Sequence, residues 1–139
     1  MGDIMNLDRV IESLKQEEGF EGMPYEDTRG YPTIGYGTKL PITEKEAELL
    51  LKHRLDEKIL ELSDKEPFFL ELPAKAQEVI ANMAYQMGDD GVLEFKKMWA
   101  ALKNKDYQKA ADEMLDSKWA REQTPNRAKR LAEIMRSLG

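Results

Sequence analysis

The stretch Glu18-Gly19-Phe20-Glu21-Gly22-Met23-Pro24-Tyr25-Glu26-Asp27-Thr28-Arg29-Gly30-Tyr31-Pro32-Thr33-Ile34-Gly35-Tyr36-Gly37 is the only part of the chain that does not read as helix. It begins where an amphipathic pattern stops, and it sets glycines and prolines among aromatic and β-branched residues. Asp27-Thr28-Arg29-Gly30 reads as a turn: Gly30 takes a positive φ without strain, and Asp27 can accept from nearby backbone amides. The flanking segments, 23–27 and 31–36, then pair as a short hairpin. This puts Glu18 at a helix end, Asp27 at the turn and Thr33 on the returning strand. Three polar side chains of different chemistry can converge at one end of a small sheet.

The rest of the chain is patterned as helices. Leu7, Val10, Ile11 and Leu14 form an i, i+3, i+4, i+7 stripe over 7–18, with Asn6 as N-cap and Gly19 as the stop. Thr43-Glu44-Lys45-Glu46 is a capping box, and it predicts a long helix to about Leu62 with Ala47, Leu51, Leu55 and Ile59 in one row. Pro67-Phe68-Phe69-Leu70 lies in the connection that follows and pins apolar residues onto the core. Pro73 opens the next helix, whose broad apolar face (Ala76, Val79, Ile80, Met83, Ala84, Met87) makes it the centre of the core. Gly88 stops it. Val92, Phe95, Trp99 and Leu102 mark another helix, and Tyr107 to Leu115 one more. Thr124-Pro125 caps the last, which turns Leu131, Ile134, Met135 and Leu138 inward. The fold class is α+β, predominantly α-helical, with one small antiparallel sheet.

Composition narrows the function. The 139 residues allow one domain with a real core. There is no cysteine, so disulfides and thiol chemistry are excluded. His53 is the single histidine and lies in a charged helix, so no multi-His metal site and no ready Ser-His triad exists. The net charge is −6, yet residues 117–139 carry +4, leaving −10 on the remainder. Such an acidic chain is a poor candidate for nucleic acid. The basic end is either a solvated helix face or a surface for an anionic partner. No run approaches the roughly 20 apolar residues of a membrane span, so no membrane insertion is expected, and Met1 to Asp8 has no signal-peptide core.

Glu18 and Asp27 are the sharpest candidates for chemistry. Hydrolysis of a glycosidic bond needs one carboxylic acid to protonate the leaving oxygen and a second carboxylate to activate water or attack the sugar. The two need different environments. A helix C-terminus favours the protonated form at Glu18, and a polar turn favours the ionised form at Asp27. Thr33 can hold a water against Asp27. Against this stands the large number of acidic residues, 27 in all, most of which must simply be solvated.

Glu18-Gly19 followed by Tyr25-x-Asp27-Thr28-x-Gly30-Tyr31-x-Thr33-Ile34-Gly35-x-Gly37 resembles the active-site stretch of the phage-type lysozymes, glycoside hydrolase family 24. Two further stretches match in order: Asn82-Met83-x-Tyr85-Gln86-Met87-Gly88-x-x-Gly91-Val92, and Ser117-x-Trp119 with Gln123-Thr124-Pro125-Asn126-Arg127-Ala128-Lys129-Arg130. The resemblance implies Glu18 as general acid, Asp27 as general base and Thr33 as the water-positioning hydroxyl. It implies that Tyr85, Gln86 and Arg127 line a saccharide cleft. Without it, Gln86 reads as a helix-end cap, Tyr85 as a core aromatic and Arg127 as a surface charge. It also implies one lysozyme domain over 1–139 with two lobes: a small β-containing lobe at about 19–42, a joining helix at about 43–62, and a helical lobe at about 63–139 that includes helix 7–18. The resemblance further implies that the cleft lies between these lobes.

The chain departs from the family at two places. Thr38 stands where the family commonly has His, and Arg54 where its T-even members have an acid partner. The segment from Gly37 to Thr43 is much shorter, so a strand and a loop of the small lobe are expected to be missing. The reading is a peptidoglycan hydrolase of the endolysin type. It needs no cofactor or metal, works as a monomer, and cleaves the β-1,4 bond between N-acetylmuramic acid and N-acetylglucosamine. Such a protein is made in the host cytoplasm and reaches the wall after a separate holin opens the membrane. A lytic transglycosylase of the same fold, or a non-catalytic cell-wall or virion-assembly module, are the alternatives. Intact Glu18, Asp27 and Thr33 argue against both.

Overall fold

A computed structural model of the chain describes residues 4–139. They belong to two compact units, one running to Leu49 and the other Leu50–Gly139. In the first, helix α1 (Leu7–Glu18) starts at Asn6, whose side chain accepts from the Asp8 and Arg9 amides at 3.0 and 3.3 Å. It ends at Gly19, where φ is +68° and the amide reaches back to the Lys15 carbonyl. The apolar stripe of α1 is not buried: Val10, Ile11 and Leu14 are 40 to 50% exposed and Leu7 64%.

Three antiparallel strands follow in the order β1-β2-β3: β1 (Glu21–Glu26), β2 (Pro32–Gly35) and β3 (Thr38–Lys39). Tyr25 pairs with Thr33 and Glu26 with Pro32. The register shifts between Glu21 and Tyr25, a bulge that bends β1. The hairpin is the predicted one, but a third strand is added to it. Gly35 and Gly37 both hold φ near +70°, which turns the chain tightly enough to set Thr38 against Ile34 and Lys39 against Thr33. The short connection after Gly37 therefore still carries a two-residue strand. Among the described residues of this unit only Thr33 is buried.

Helix α2 (Glu44–Lys65) opens with the expected capping box. The Thr43 hydroxyl accepts from the Glu46 amide at 3.1 Å, and Glu46 returns to the Thr43 amide at 2.9 Å. Such a cap contributes about 1 kcal/mol. Of the predicted row, Ala47 and Leu51 are exposed and Leu55 and Ile59 half-buried, while Leu62, outside the row, is completely buried.

In the second unit, a 3₁₀ turn (Pro67–Glu71) buries Phe69. Helix α3 (Ala74–Leu93) buries Ala76, Val79, Ile80, Met83 and Ala84, as its face predicts. Gly88 interrupts it with φ +84° and ψ 160°, and a short helical segment continues beyond. Helices α4 (Lys96–Lys103) and α5 (Tyr107–Leu115), a π turn (Trp119–Gln123) and α6 (Pro125–Arg136) complete the unit. Met83, Met98, Leu102, Met114 and Met135 have no exposed surface. Full burial of a side chain of this size contributes about 1.5–3 kcal/mol, so the core of this unit is hydrophobic. Trp99 and Trp119 are core residues, each 4% exposed, and the Trp99 indole donates to the Val92 carbonyl at 3.1 Å.

Gly88 also sets up an ion pair. The turn after it buries Asp89, which meets Lys65 at the end of α2 at 2.7 Å. Asp90 reaches the same ammonium at 2.9 Å. The Lys65 ammonium holds the Asp89 carboxyl below its ordinary value of 3.8. A depressed carboxyl pKa contributes stability that is present above 3.8 and is lost as pH falls through the folded-state value. Lys65→Met should therefore destabilise the protein to urea near neutral pH, and the deficit should shrink once acid has protonated Asp89. An equal deficit at neutral and strongly acid pH would contradict this account of the pair.

Candidate active site

The turn at Asp27 is closed by its own side chain. Asp27 Oδ1 accepts from the Arg29 amide at 2.9 Å and the Tyr31 amide at 2.8 Å. The backbone closes the same loop, with Gly30 N–H donating to the Asp27 carbonyl and Asp27 N–H to the Tyr31 carbonyl. Gly30 has φ +83°, the conformation that the turn requires and that a β-carbon would strain. The other carboxylate oxygen, Oδ2, accepts from the Lys39 ammonium. The Lys39 hydrogen bond is the largest influence on this group, and with the two amides it holds the Asp27 carboxyl below its ordinary value. Asp27 is thus an ionised carboxylate at neutral pH, fixed by three donors.

Thr33 sits two residues past the turn on β2 and is fully buried. Its hydroxyl donates to the Tyr31 carbonyl at 2.8 Å. Tyr31 therefore connects the two candidates: its N–H serves Asp27 and its C=O receives Thr33. With that proton committed, the Thr33 oxygen has only lone pairs left to offer.

Glu18 is the last residue of α1, and its carboxylate lies against the α-carbon of Gly37 in the turn between β2 and β3. A β-carbon on Gly37 would stand 2.6 Å from Glu18 Oε2 and 2.7 Å from its Cδ. Only glycine lets the carboxyl occupy this place, and φ +71° asks for glycine independently. The hairpin thus holds Asp27 and Thr33 at one turn and receives Glu18 at the other. Phe20 and Tyr36 pack in a tilted arrangement with ring centroids 5.6 Å apart, and Lys15 stands over the Tyr36 ring at 5.7 Å.

The second unit places the remaining candidates. Gln86, on the last turn of α3 before Gly88, spends its amide on two neighbours. Its Oε1 accepts from the Trp119 indole at 2.9 Å, and its Nε2 donates to the Thr124 hydroxyl at 3.2 Å. It is a bridge between α3 and the start of α6, not a helix-end cap. Thr124 stands at the N-cap position of α6 as predicted, but makes no side-chain cap bond; its hydroxyl is taken by Gln86. Tyr85 is 41% exposed and so is not a core aromatic. Arg127, in the first turn of α6, is clamped on Asn82: Nε and Nη2 reach Asn82 Oδ1 at 2.9 and 2.6 Å, and Nη2 reaches the Asn82 carbonyl at 3.2 Å. This fork fixes the guanidinium's direction and leaves its remaining N–H donors available. Among the described residues no three His, Asp or Glu side chains gather where a metal ion could be held.

Three residues at these sites were not legible as such. Asn82 and Thr124 sit inside the quoted motifs, but nothing local says which side chains they bind. Lys39 lies past the hairpin in sequence, and only the third strand carries it to Asp27.

A small α+β protein with an anchored carboxylate at a hairpin turn and a second carboxylate at the neighbouring helix end has the parts of a glycoside hydrolase. The sequence profile of the phage lysozyme family matches residues 15–135, and the chain belongs to that family. It is accordingly an enzyme of the lysozyme class, a muramidase-type peptidoglycan hydrolase. A Dictyostelium discoideum protein named "Probable T4-type lysozyme 1" is 31% identical, over 91% of this chain and 92% of its own length. The pre-baseplate central spike protein Gp5 of Enterobacteria phage T4 is 30% identical over 91% of this chain, which spans 27% of that longer protein.

Two substitutions test this geometry. Gly37→Ala should push the Glu18 carboxyl from its place and lower clearing of sacculi by roughly tenfold or more. The positive φ should cost about 1–2 kcal/mol in stability. Gln86→Ala leaves the buried Trp119 indole N–H without a partner, and chemical unfolding should show a loss of about 1–3 kcal/mol. Wild-type activity in the first, or wild-type stability in the second, would contradict the contacts described.

Proposed function

We propose that the protein hydrolyses the β-1,4 bond between N-acetylmuramic acid and N-acetylglucosamine with inversion, Glu18 acting as general acid and Asp27 as general base. The observation that carries this reading is the state of Asp27. A carboxylate fixed by two backbone amides and an ammonium is suited to hold and deprotonate a water, and poorly suited to swing onto a sugar carbon as a nucleophile. Glu18 delivers its proton to the leaving oxygen as the bond breaks. Thr33, fully buried, braces the turn through its bond to the Tyr31 carbonyl. Tyr85, Gln86 and Arg127 serve the saccharide. The exposed Tyr85 ring offers a stacking face, the Arg127 guanidinium is aimed by Asn82, and Gln86 sets the position of Trp119 and Thr124.

The biological role proposed is that of an endolysin. It is made in the host cytoplasm, acts on the wall as a monomer once a holin has opened the membrane, and uses no cofactor. No helix among the described residues is long and apolar enough to cross a membrane, which suits delivery by a separate factor. A virion-borne lysozyme is the second reading, favoured by the likeness to part of a spike protein; the reaction is the same in both.

Glu18→Gln should abolish clearing of purified sacculi with an unchanged far-UV spectrum, since an amide has no proton of suitable acidity to give. NMR of the first-formed product from the wild-type enzyme should show the α-anomer, the outcome of water attacking opposite the leaving group. A β-anomer formed first would replace this mechanism with a covalent one, and anhydromuramyl ends would replace it with transglycosylation.

A further inference from the structure

Asp27 is held by more than its own turn, and the extra contact lies on a strand that the hairpin alone does not require. Count the lone pairs. Oδ1 accepts the Arg29 and Tyr31 amides, and both of its acceptor positions are filled. Oδ2 accepts Lys39 alone, so one position remains. The neighbouring charged side chains in the sequence are Glu26 at the end of β1 and Arg29 in the turn, and β3 brings Lys39 onto the carboxylate; Glu18 lies against Gly37 at the other turn. Of these side chains only Lys39 acts on its charge. The Asp27 side chain is 14% exposed and the Lys39 side chain 57%, so the ammonium closes the carboxylate from the solvent side while remaining wet itself.

We propose that Lys39 is the positioning residue of the general base: its ammonium occupies one lone pair of Asp27 Oδ2 and leaves the other as the single acceptor for the proton of the attacking water. The inference rests on the hydrolytic reading above and adds an atom to it. In the step, the water O–H bond breaks and its proton passes to Oδ2. The water oxygen bonds to the anomeric carbon, and the glycosidic C–O bond breaks. Its electron pair stays on the leaving oxygen, which takes the proton of Glu18. Solvent then returns both carboxyl groups to their starting states. Lys39 makes no bond to substrate. It fixes which oxygen acts and keeps Asp27 ionised as the solution becomes acid. The same contact weakens Asp27 as a base, so the arrangement trades basicity for orientation and for a wider acid range.

Register makes the contact possible. Lys39 pairs with Thr33, and the Leu40 amide donates to the Pro32 carbonyl at 2.9 Å, so β3 runs beside the turn-proximal end of β2. The turn through Gly35 and Gly37 is the device that brings a cation back to the carboxylate.

The test compares Lys39→Met, Lys39→Arg and Asp27→Asn in initial rates of sacculus clearing across the pH range. Lys39→Met removes the charge and the donor from an exposed position, so its fold should be retained in the far-UV spectrum. Its acid limb, set by ionisation of Asp27, should move to higher pH, and kcat should fall roughly tenfold with KM little changed. Lys39→Arg should restore the limb and most of the rate. Asp27→Asn should be inactive. An inactive Asp27→Asn with an unmoved limb in Lys39→Met would overturn the role of Lys39 and leave the hydrolytic reading standing, even if the rate fell. A fall that appears only as a higher KM, equal at every pH, would make Lys39 a simple attraction for anionic wall and would equally overturn it. An active Asp27→Asn would overturn the reading itself, and the role of Lys39 with it.

Discussion

The hairpin turn of the first unit is closed by the bonds from the Arg29 and Tyr31 amides to Asp27 Oδ1, and both candidate groups on the hairpin depend on that closure. That unit buries a single side chain among its described residues, and the side chain is Thr33, a polar one. Its shape is maintained by a short ladder, by glycines at positive φ and by the Asx-type closure of the hairpin turn. The carboxylate proposed as the general base is therefore also a structural element. Because its pKa is depressed in the folded state, the closure contributes stability above 3.8 and loses it as pH falls through the folded value. On the proposed mechanism, activity would decline in the same acid range as this local stability, for one physical reason.

The second unit is built by opposite means. Its core is apolar, and its few buried polar groups are tied in pairs: Trp119 with Gln86, Trp99 with the Val92 carbonyl, Asp89 with Lys65. Such bonds add little net stability while made but cost much when one partner is removed. They serve to fix direction. Gln86 joins α3 to the start of α6, and Asn82, one helical turn earlier, points Arg127. Residues named for saccharide contact are thus positioned by neighbours in the same two helices, four residues apart on α3 and three apart from Thr124 to Arg127. Rigid elements, not loops, set the directions of these groups.

What could be read in the sequence follows the range of the forces involved. The Asn6 cap, the Thr43–Glu46 box, the break at Gly88 and the turn at Asp27 depend on neighbours within a few residues, and each is where local rules put it. The apolar face of α3 follows from periodicity. Glu18, Asp27 and Thr33 stand out as candidates by their chemistry and by the family motif that contains them. The third strand does not, because two-residue strands have no pattern of their own and this one exists only through the paired torsions of Gly35 and Gly37. For that reason nothing local in the sequence marks its side chain Lys39 as a partner of Asp27. Thr124 was placed correctly and assigned the wrong partner, since a hydroxyl at an N-cap can serve the helix or a side chain 38 residues away, and local sequence cannot choose. Tyr85 and Gln86 follow the same rule: position came from the helix, and partners came from packing.

The central claim is that the hairpin holds Asp27 as an anchored, ionised base. Its most direct test is a ¹³C NMR titration of the Asp27 carboxyl carbon in the wild-type protein, assigned with Asp27→Asn. The expected midpoint lies below 3.8, the ordinary value for the group. A midpoint at or above 3.8 would show that the two amides and the ammonium do not hold the charge, and the assignment of Asp27 as the poised base would fall.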